Sequence, residues 1–441
     1  MKKILVRAGF NPQVNYTPHD FLTRNLVGDN VGNLMFAYGV MNVLWTEDTQ
    51  VDQVYDKSFS DKEAQQINEH YDCLVLPMAD AFRDGFVWQL KAWTHLIKRL
   101  SIPVVVIGIG LRTTYEPELS RDFVFDEVAK DFVRAVLDHS SLLGLRGEIT
   151  GKYLGKLGFT EDRDYVPIGC PSLYTYGEDV VMKRILPKED LFKGKCIFNL
   201  NTWAISHYED VVSTINSFII EETRKFPDHY LIQQKIHEFK DMYLGKFQRG
   251  LKQTYIQGTN NADELKRLHI ENRVKVFLNV ASWIRFCRDA DFFIGNRFHG
   301  SVAAILAGCP HVFLPFDGRT RELTEYHSIT HLTPAEIKGG KSILDYYDIL
   351  DFHSFEKRHK NNFENYLGFL AKNGLDSYHI FKEQKNFEMG TSPMERAMKF
   401  DEKPIACIDS LPSIDKIQRV LSVYSFKIEN KIKKRIKFSP E

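Results

Sequence analysis

Short apolar runs alternate with amphipathic stretches along most of the chain, and this alternation predicts parallel strands joined by helices. Lys3–Arg7, Cys73–Pro77 and Pro103–Ile107 read as strands of a first sheet. Pro103–Ile107 is β-branched and continuous, as interior parallel strands are. Ser141–Leu145 and the start of Tyr165–Tyr174 continue the series. Helical spacing covers Leu34–Leu44, Val87–Leu100, Phe123–Asp138 and the stretch from Glu148 to Leu157. A second alternation starts at Lys195–Leu200. Its strands are Tyr230–Gln233, Val274–Phe277, Asp291–Ile294 and His311–Leu314. Its helices are Glu209–Lys225, Glu238–Phe247, Ala262–Leu268, Val280–Arg288 and Ser301–Ala307. Beyond Gly340 the pattern is helical, with Asp351–Lys372 closed by Asn373-Gly374. The charged, irregular piece from Gly177 to Gly194 separates the two alternations. The expected organisation is therefore an α/β chain with Rossmann-like parallel-sheet domains over 1–180 and 195–340. A helical C-terminal region over 341–441 ends in a basic tail.

The positions where strands hand over to helices are where an open α/β sheet binds ligands. Asn296, Arg297 and His299 follow the strand ending at Ile294, and the helix that begins there favours an anion. Arg146 repeats the pattern after Leu145. Gly110 and Arg112 follow the Pro103–Ile107 strand, where glycine permits close backbone approach. The turn Gly28–Asn33 carries Asp29 and Asn30 ahead of a helix, which suits either an anion or sugar site or an ordinary turn with its N-cap. Arg319, Arg321 and Glu322 read either as ligand-facing groups or as a solvated charge run. An Arg–His pair at a sheet rim points to an acidic small molecule.

Composition narrows the class. Across 441 residues, Lys+Arg and Asp+Glu both number 58, so the global charge carries no nucleic-acid signal. The cysteines at 73, 170, 196, 287, 309 and 407 show no C-x-x-C spacing. Neither a metal site nor a disulfide framework is expected, and a reducing cytoplasm is. Cys170 and Cys309 read as small packing residues at turns. No apolar run reaches the roughly 20 residues of a membrane span. The tail Lys427–Lys437 has six Lys/Arg and one Glu with isoleucines between. It reads either as a solvated terminus or as a contact with the inner face of an anionic membrane.

LGLRGEITGKYLGKLG, VPIGCPSLY and FFIGNRFHGSVAAILAGCPHVFLPFDGRTRELTEY, in that order, resemble the polysaccharide pyruvyl transferases. Gly28-Asp29-Asn30 resembles the family's N-terminal Asn-x-Gly-Asp region, with the asparagine displaced. The resemblance covers about residues 25 to 330. It implies a GT-B-like fold with the site between two domains. It also implies transfer of the pyruvyl group of phosphoenolpyruvate to a sugar, forming a ketal with release of phosphate and needing no cofactor or metal. Arg146, Arg297 and His299 match positions where the family places donor-binding and catalytic groups. His299 is expected to move a proton or to hold phosphate as imidazolium, and Asp29 or Glu322 to serve as hydroxyl base or acceptor contact. The acceptor would be a sugar or lipid-linked oligosaccharide. A nucleotide-sugar glycosyltransferase and a non-catalytic carbohydrate-binding protein are the alternatives.

Overall fold

The computed structural model describes residues 1–11, 14, 16–183, 185–201, 209–245, 262–377 and 405–437, with backbone alone at 209, 262–263 and 430–437. Its strands are β1 (Lys2–Arg7), β2 (Thr49–Val54), β3 (Cys73–Pro77), β4 (Val104–Ile107), β5 (Leu143–Leu145), β6 (Tyr165–Pro167), β7 (Lys195–Asn199), β8 (Asp228–Ile232), β9 (Val274–Lys275), β10 (Phe292–Gly295) and β11 (His311–Phe313). The first sheet runs β2-β1-β3-β4. A bridge from Ile109 to Leu145 carries it on into the β5-β6 pair. The second sheet runs β11-β10-β7-β8-β9. Among the described residues the pairings between these strands are parallel. Parallel strands need crossover connections, and helices supply them.

In the first unit these helices are α1 (Pro18–Thr23), α2 (Gly32–Leu44), α3 (Asp61–His70), α4 (Val87–Ile97), α5 (Asp126–Leu137) and α6 (Glu148–Lys156). In the second they are α7 (Glu209–Thr223), α8 (Ile236–Leu244), α9 (Ala262–Ile270), α10 (Val280–Arg288), α11 (Phe298–Leu306) and α12 (Gly318–His327). α13 (Pro334–Lys338), α14 (Ile343–Tyr347), α15 (Ser354–Lys372) and α16 (Ser413–Lys437) follow. The fold is the expected one: two parallel-sheet α/β units with a helical end. β2 and α3 escaped the pattern for a physical reason. β2 is TQVDQV, and α3 buries only Ala64 and Ile67, so neither presents a strong apolar period. The helix expected to reach Phe247 ends at Leu244, and its remainder lies outside the described residues.

The two units are tightly joined. α2 is buried along nearly its whole length. It belongs to a core that reaches from Ile4 and Val6 of the first sheet to Phe292 and Ile294 of the second. α15 returns to the first unit, where Asn373 accepts from Ser141 N at 3.0 Å and Asn365 donates to Pro167 O at 2.8 Å. α15 is thus tied to the β5-β6 end of the first unit.

Candidate functional site

The carboxyl ends of β3, β4 and β5 converge on buried charge. After β3, Ala79 turns with φ +51°, a conformation unusual outside glycine, and its carbonyl accepts from Gly110 N at 2.7 Å. That turn presents Asp80. Arg83 reaches Asp80 Oδ1 at 2.8 Å, and Arg112 Nε reaches Oδ2 at 2.8 Å. Arg319, from α12 of the other unit, lies 4.0 Å from the same Oδ2 and 3.4 Å from Asp317. Burial opposes a charge on Asp80, yet these arginines hold its carboxyl well below the usual range.

Arg146 follows β5 and is 2% exposed. Its Nε donates to Gly108 O at 3.1 Å, its guanidinium lies 5.2 Å from the Phe36 ring centre, and Nη2 has no protein partner. Gly110 makes this possible, because a Cβ there would come within 2.8 Å of Arg146 Cδ. Burial lowers the pKa of Arg146, but a guanidinium keeps its charge in a protein. Arg83, Arg112, Arg146 and Arg319 together face the carboxylates Asp80 and Asp317, so the rim carries surplus positive charge.

His299 faces this cluster from the second unit. It sits in the first turn of α11, its ring 6.2 Å from Phe36, so Phe36 lies against both His299 and Arg146. Its Nε2 is enclosed and has no protein partner. A Cβ on Gly32 would meet His299 Nδ1 at 2.9 Å, so α2 can approach only as glycine. Burial first, then the Arg146 and Arg319 cations, push the imidazole down to about 3, against the pull of Asp80. These surroundings disfavour the imidazolium form of His299.

Other candidates have different surroundings. Arg297 is 7% exposed; its Nη2 pairs with Glu238 at 2.8 Å and its Nε donates to Leu200 O. Glu238 also accepts from Gln234 N at 2.9 Å and Lys235 N at 2.8 Å. Arg297 therefore braces the α11 start against α8. Asn296 is locked within the second unit by Asn201 N at 2.7 Å and Asn216 at 2.8 Å. Asp29 and Asn30 stitch the units together. Val31 N donates to Gln234 O at 2.8 Å, Ile236 N to Asp29 O at 3.1 Å, and Lys235 pairs with Asp29 at 2.9 Å. Asn30 Oδ1 caps Gly32 N at 2.8 Å. Glu322 crosses in the opposite direction, accepting from Thr150 N at 2.9 Å and Thr150 Oγ at 2.8 Å at the start of α6. Burial raises its carboxyl to about 7, against the Thr150 bonds and Arg146. Cys170 N donates to His327 Nε2 at 2.8 Å, and Cys170 and Cys309 are fully buried, as packing residues would be.

The motif order implied a family, and the comparison supports it. A polysaccharide pyruvyl transferase family model matches residues 30–318. The chain belongs to that family. The match covers strands of both sheets other than β1, and it includes every cluster member except Arg319, which lies one residue beyond it. A comparison with curated proteins finds no match. Among solved structures, the S. aureus MnaA–UDP co-structure is 13% identical, covering 85% of this chain and 100% of its own at TM-score 0.41. UDP-GlcNAc 2-epimerase from Methanocaldococcus jannaschii with UDP-GlcNAc and UDP is 11% identical, covering 84% and 99% at TM-score 0.44. Anabaena Alr3699/HepE with UDP and glucose is 13% identical, covering 88% and 100% at TM-score 0.41.

In this pyruvyl transferase family member, Asp80, Arg83, Phe36 and Gln234 were not singled out from the sequence. Asp80 and Arg83 follow Cys73–Pro77 as Arg112 follows β4, so the strand-end rule finds them when applied to β3 as well. Phe36 and Gln234 leave no such trace. Phe36 looks like any core aromatic on a buried helix, and Gln234 reaches the Gly32–Gly300 contact only through the meeting of the two units.

Proposed function

We propose that the chain transfers the pyruvyl group of phosphoenolpyruvate to two hydroxyls of a sugar in a polysaccharide or its lipid-linked precursor, forming a cyclic ketal and releasing phosphate. The observation that carries this reading is the rim cluster: four arginines against Asp80 and Asp317, with the Glu322 carboxyl, raised to about 7, beside Arg146, whose Nη2 is buried and unpaired. Phosphoenolpyruvate has a carboxylate and a phosphate whose second pKa is about 6, so it carries close to three negative charges at neutral pH. Guanidinium forks match both groups in geometry and sign. Like charges at roughly 5 Å repel by about 3 kcal/mol at a protein's effective dielectric. A crowded arginine set therefore favours an anion of this kind.

Protonation of the methylene carbon makes the adjacent carbon electrophilic, and a sugar hydroxyl adds there. Loss of phosphate breaks that carbon's bond to the phosphate oxygen, and the second hydroxyl closes the ring. Of the two hydroxyl protons, one is balanced by the methyl group and the other by the departing phosphate. The arginines stabilise charge building on that phosphate. The enclosed, unpartnered Nε2 of His299 is placed to take a proton from a hydroxyl, and the negative charge of the bound donor would raise the imidazole from about 3 toward the basicity this step needs. Thermal shift with phosphoenolpyruvate, followed by phosphate release on adding sugar acceptors, tests the reading. Stabilisation by phosphoenolpyruvate and acceptor-dependent phosphate are expected. No shift with phosphoenolpyruvate at about 100 times a typical micromolar dissociation constant, together with a shift from a nucleotide sugar, would overturn it.

A further inference from the structure

α16 carries two apolar faces, and only one of them is covered. The inner face holds Val423, which is 1% exposed, and Phe426, whose ring lies 5.2 Å from His19 of α1. Arg419 anchors the same side, its guanidinium 4.5 Å over the Tyr243 ring of α8 and its Nη1 donating to Ala406 O at 2.7 Å. The helix is thereby docked across both units. On the opposite side stand Ile414, Ile417, Leu421, Tyr424 and Ile428, which are 69, 54, 59, 44 and 58% exposed. Their spacing alternates three and four residues, so they form one stripe along the helix. An exposed continuous apolar stripe marks an interaction surface rather than scattered surface residues.

Charge selects the occupant. The helix Ser413–Lys437 holds eight Lys/Arg and two acidic residues, in a chain whose Lys+Arg and Asp+Glu are equal. Six of the eight lie from Lys427 onward, with Glu429 the one acid among them. Parallel pairing with a second copy would set these basic ends side by side. Antiparallel pairing would offer each basic end only Asp415 at the far end. Like-charged partners of this kind repel. An anionic surface is attracted along the same helix. Among the described residues no helix is long and apolar enough to cross a membrane, which leaves a helix lying in the interface plane.

We propose that the outer face of α16 docks the protein on an anionic lipid bilayer, with the Ile414–Ile428 stripe in the acyl boundary and the basic end against the headgroups. This inference stands independently of the pyruvyl-transfer reading. The test uses the full chain and vesicles of phosphatidylcholine with or without about one third phosphatidylglycerol. Wild-type protein is expected to co-sediment with the phosphatidylglycerol vesicles about tenfold more strongly than with neutral ones, and less so as salt rises from about 0.1 to about 1 M. The triple variant Ile417→Ser, Leu421→Ser, Ile428→Ser is expected to lose at least about tenfold of that association, because burial of the stripe supplies the apolar part. The charge variant Lys427→Gln, Lys431→Gln, Lys434→Gln, Arg435→Gln is expected to lose a similar factor. The triple variant should keep the wild-type circular dichroism and melting temperature, because Ile417, Leu421 and Ile428 are exposed. Equal vesicle association by the variants and the wild type overturns the proposal. So does absence of wild-type association, or a concentration-dependent dimer by light scattering that the triple variant abolishes while vesicles bind nothing.

Discussion

At the scale of single residues, Arg146 and His299 each bring an enclosed nitrogen without a protein partner to the rim, Nη2 and Nε2. Arg146→Lys keeps a cation but removes the planar fork that fits between Gly108 O and Phe36. We expect kcat/KM for phosphoenolpyruvate to fall about 100-fold or more, since a buried charge-assisted contact of about 3 kcal/mol is lost. Circular dichroism should be unchanged. A wild-type KM for the donor would remove Arg146 from the binding set. His299→Gln should lower kcat by about 10²- to 10⁴-fold while leaving the phosphoenolpyruvate thermal shift in place, because a general base is lost and the anion site is not. Loss of the shift with kcat intact would reverse that assignment. Both residues were legible as strand-end groups, because a strand, a turn and a helix start are local features. The protonation state of His299 was not legible. It depends on burial and on Arg146 and Arg319, which lie about 150 residues upstream and 20 residues downstream.

At the scale of elements, the Arg297–Glu238 pair ties the start of α11 to α8. Both side chains are nearly enclosed, at 6 and 4% exposure. Removing one partner of such a pair leaves an uncompensated buried charge, which costs about 3–5 kcal/mol. Arg297→Met should therefore lower the urea midpoint sharply, and adding Glu238→Gln should recover part of it. If Arg297→Met instead unfolds like wild type and only donor binding suffers, the residue belongs to the substrate site. The motif Arg-x-His-Gly shows which residues begin the helix. It does not show which way each one points. Arg297 and His299 are two residues apart at the same helix start, yet one meets Glu238 and the other meets Phe36 and the arginine rim. β2 and α3 were illegible for a related reason. Their stability comes from pairing with β1 and covering the first sheet rather than from strong periodicity of their own.

At the scale of the whole molecule, the two units are sewn together by Asp29–Ile236, Val31–Gln234, Glu322–Thr150 and Gly318–Thr113. Glu322 is raised to about 7 from an ordinary glutamate value, so the folded state binds its proton more tightly than the unfolded chain does. Its contribution is fully present below the unfolded value and is lost as pH rises through about 7. Glu322→Gln should remove this loss and raise the melting temperature most at pH 8. A pH-independent difference from wild type would argue against the assignment. The buried histidines act with the opposite sign. His299 is lowered to about 3, and His311 and His359 to about 4, chiefly by burial. Their contribution is present above the unfolded value near 6.5 and is lost as pH falls through about 4 and then 3. Stability should therefore fall on acidification below pH 6.5, and His311→Phe should make that fall shallower.

Local order along the chain was enough for the two alternations of strand and helix, the rim positions of Arg146, Arg297 and His299, and the family. Each of these is a matter of period, turn chemistry or motif order, which neighbouring residues settle among themselves. The partners of those rim residues were settled only when the sheets met. Asp80, Arg112, Arg146 and Arg319 form one charged cluster because β3, β4 and β5 end and α12 begins at the same place, although they are far apart in sequence. Burial at that meeting point then set the charge state of His299 and Glu322. It also turned Asp29, Asn30 and Glu322 into ties between the units. Burial and long-range charge are properties of the assembled core, and no window of sequence contains them.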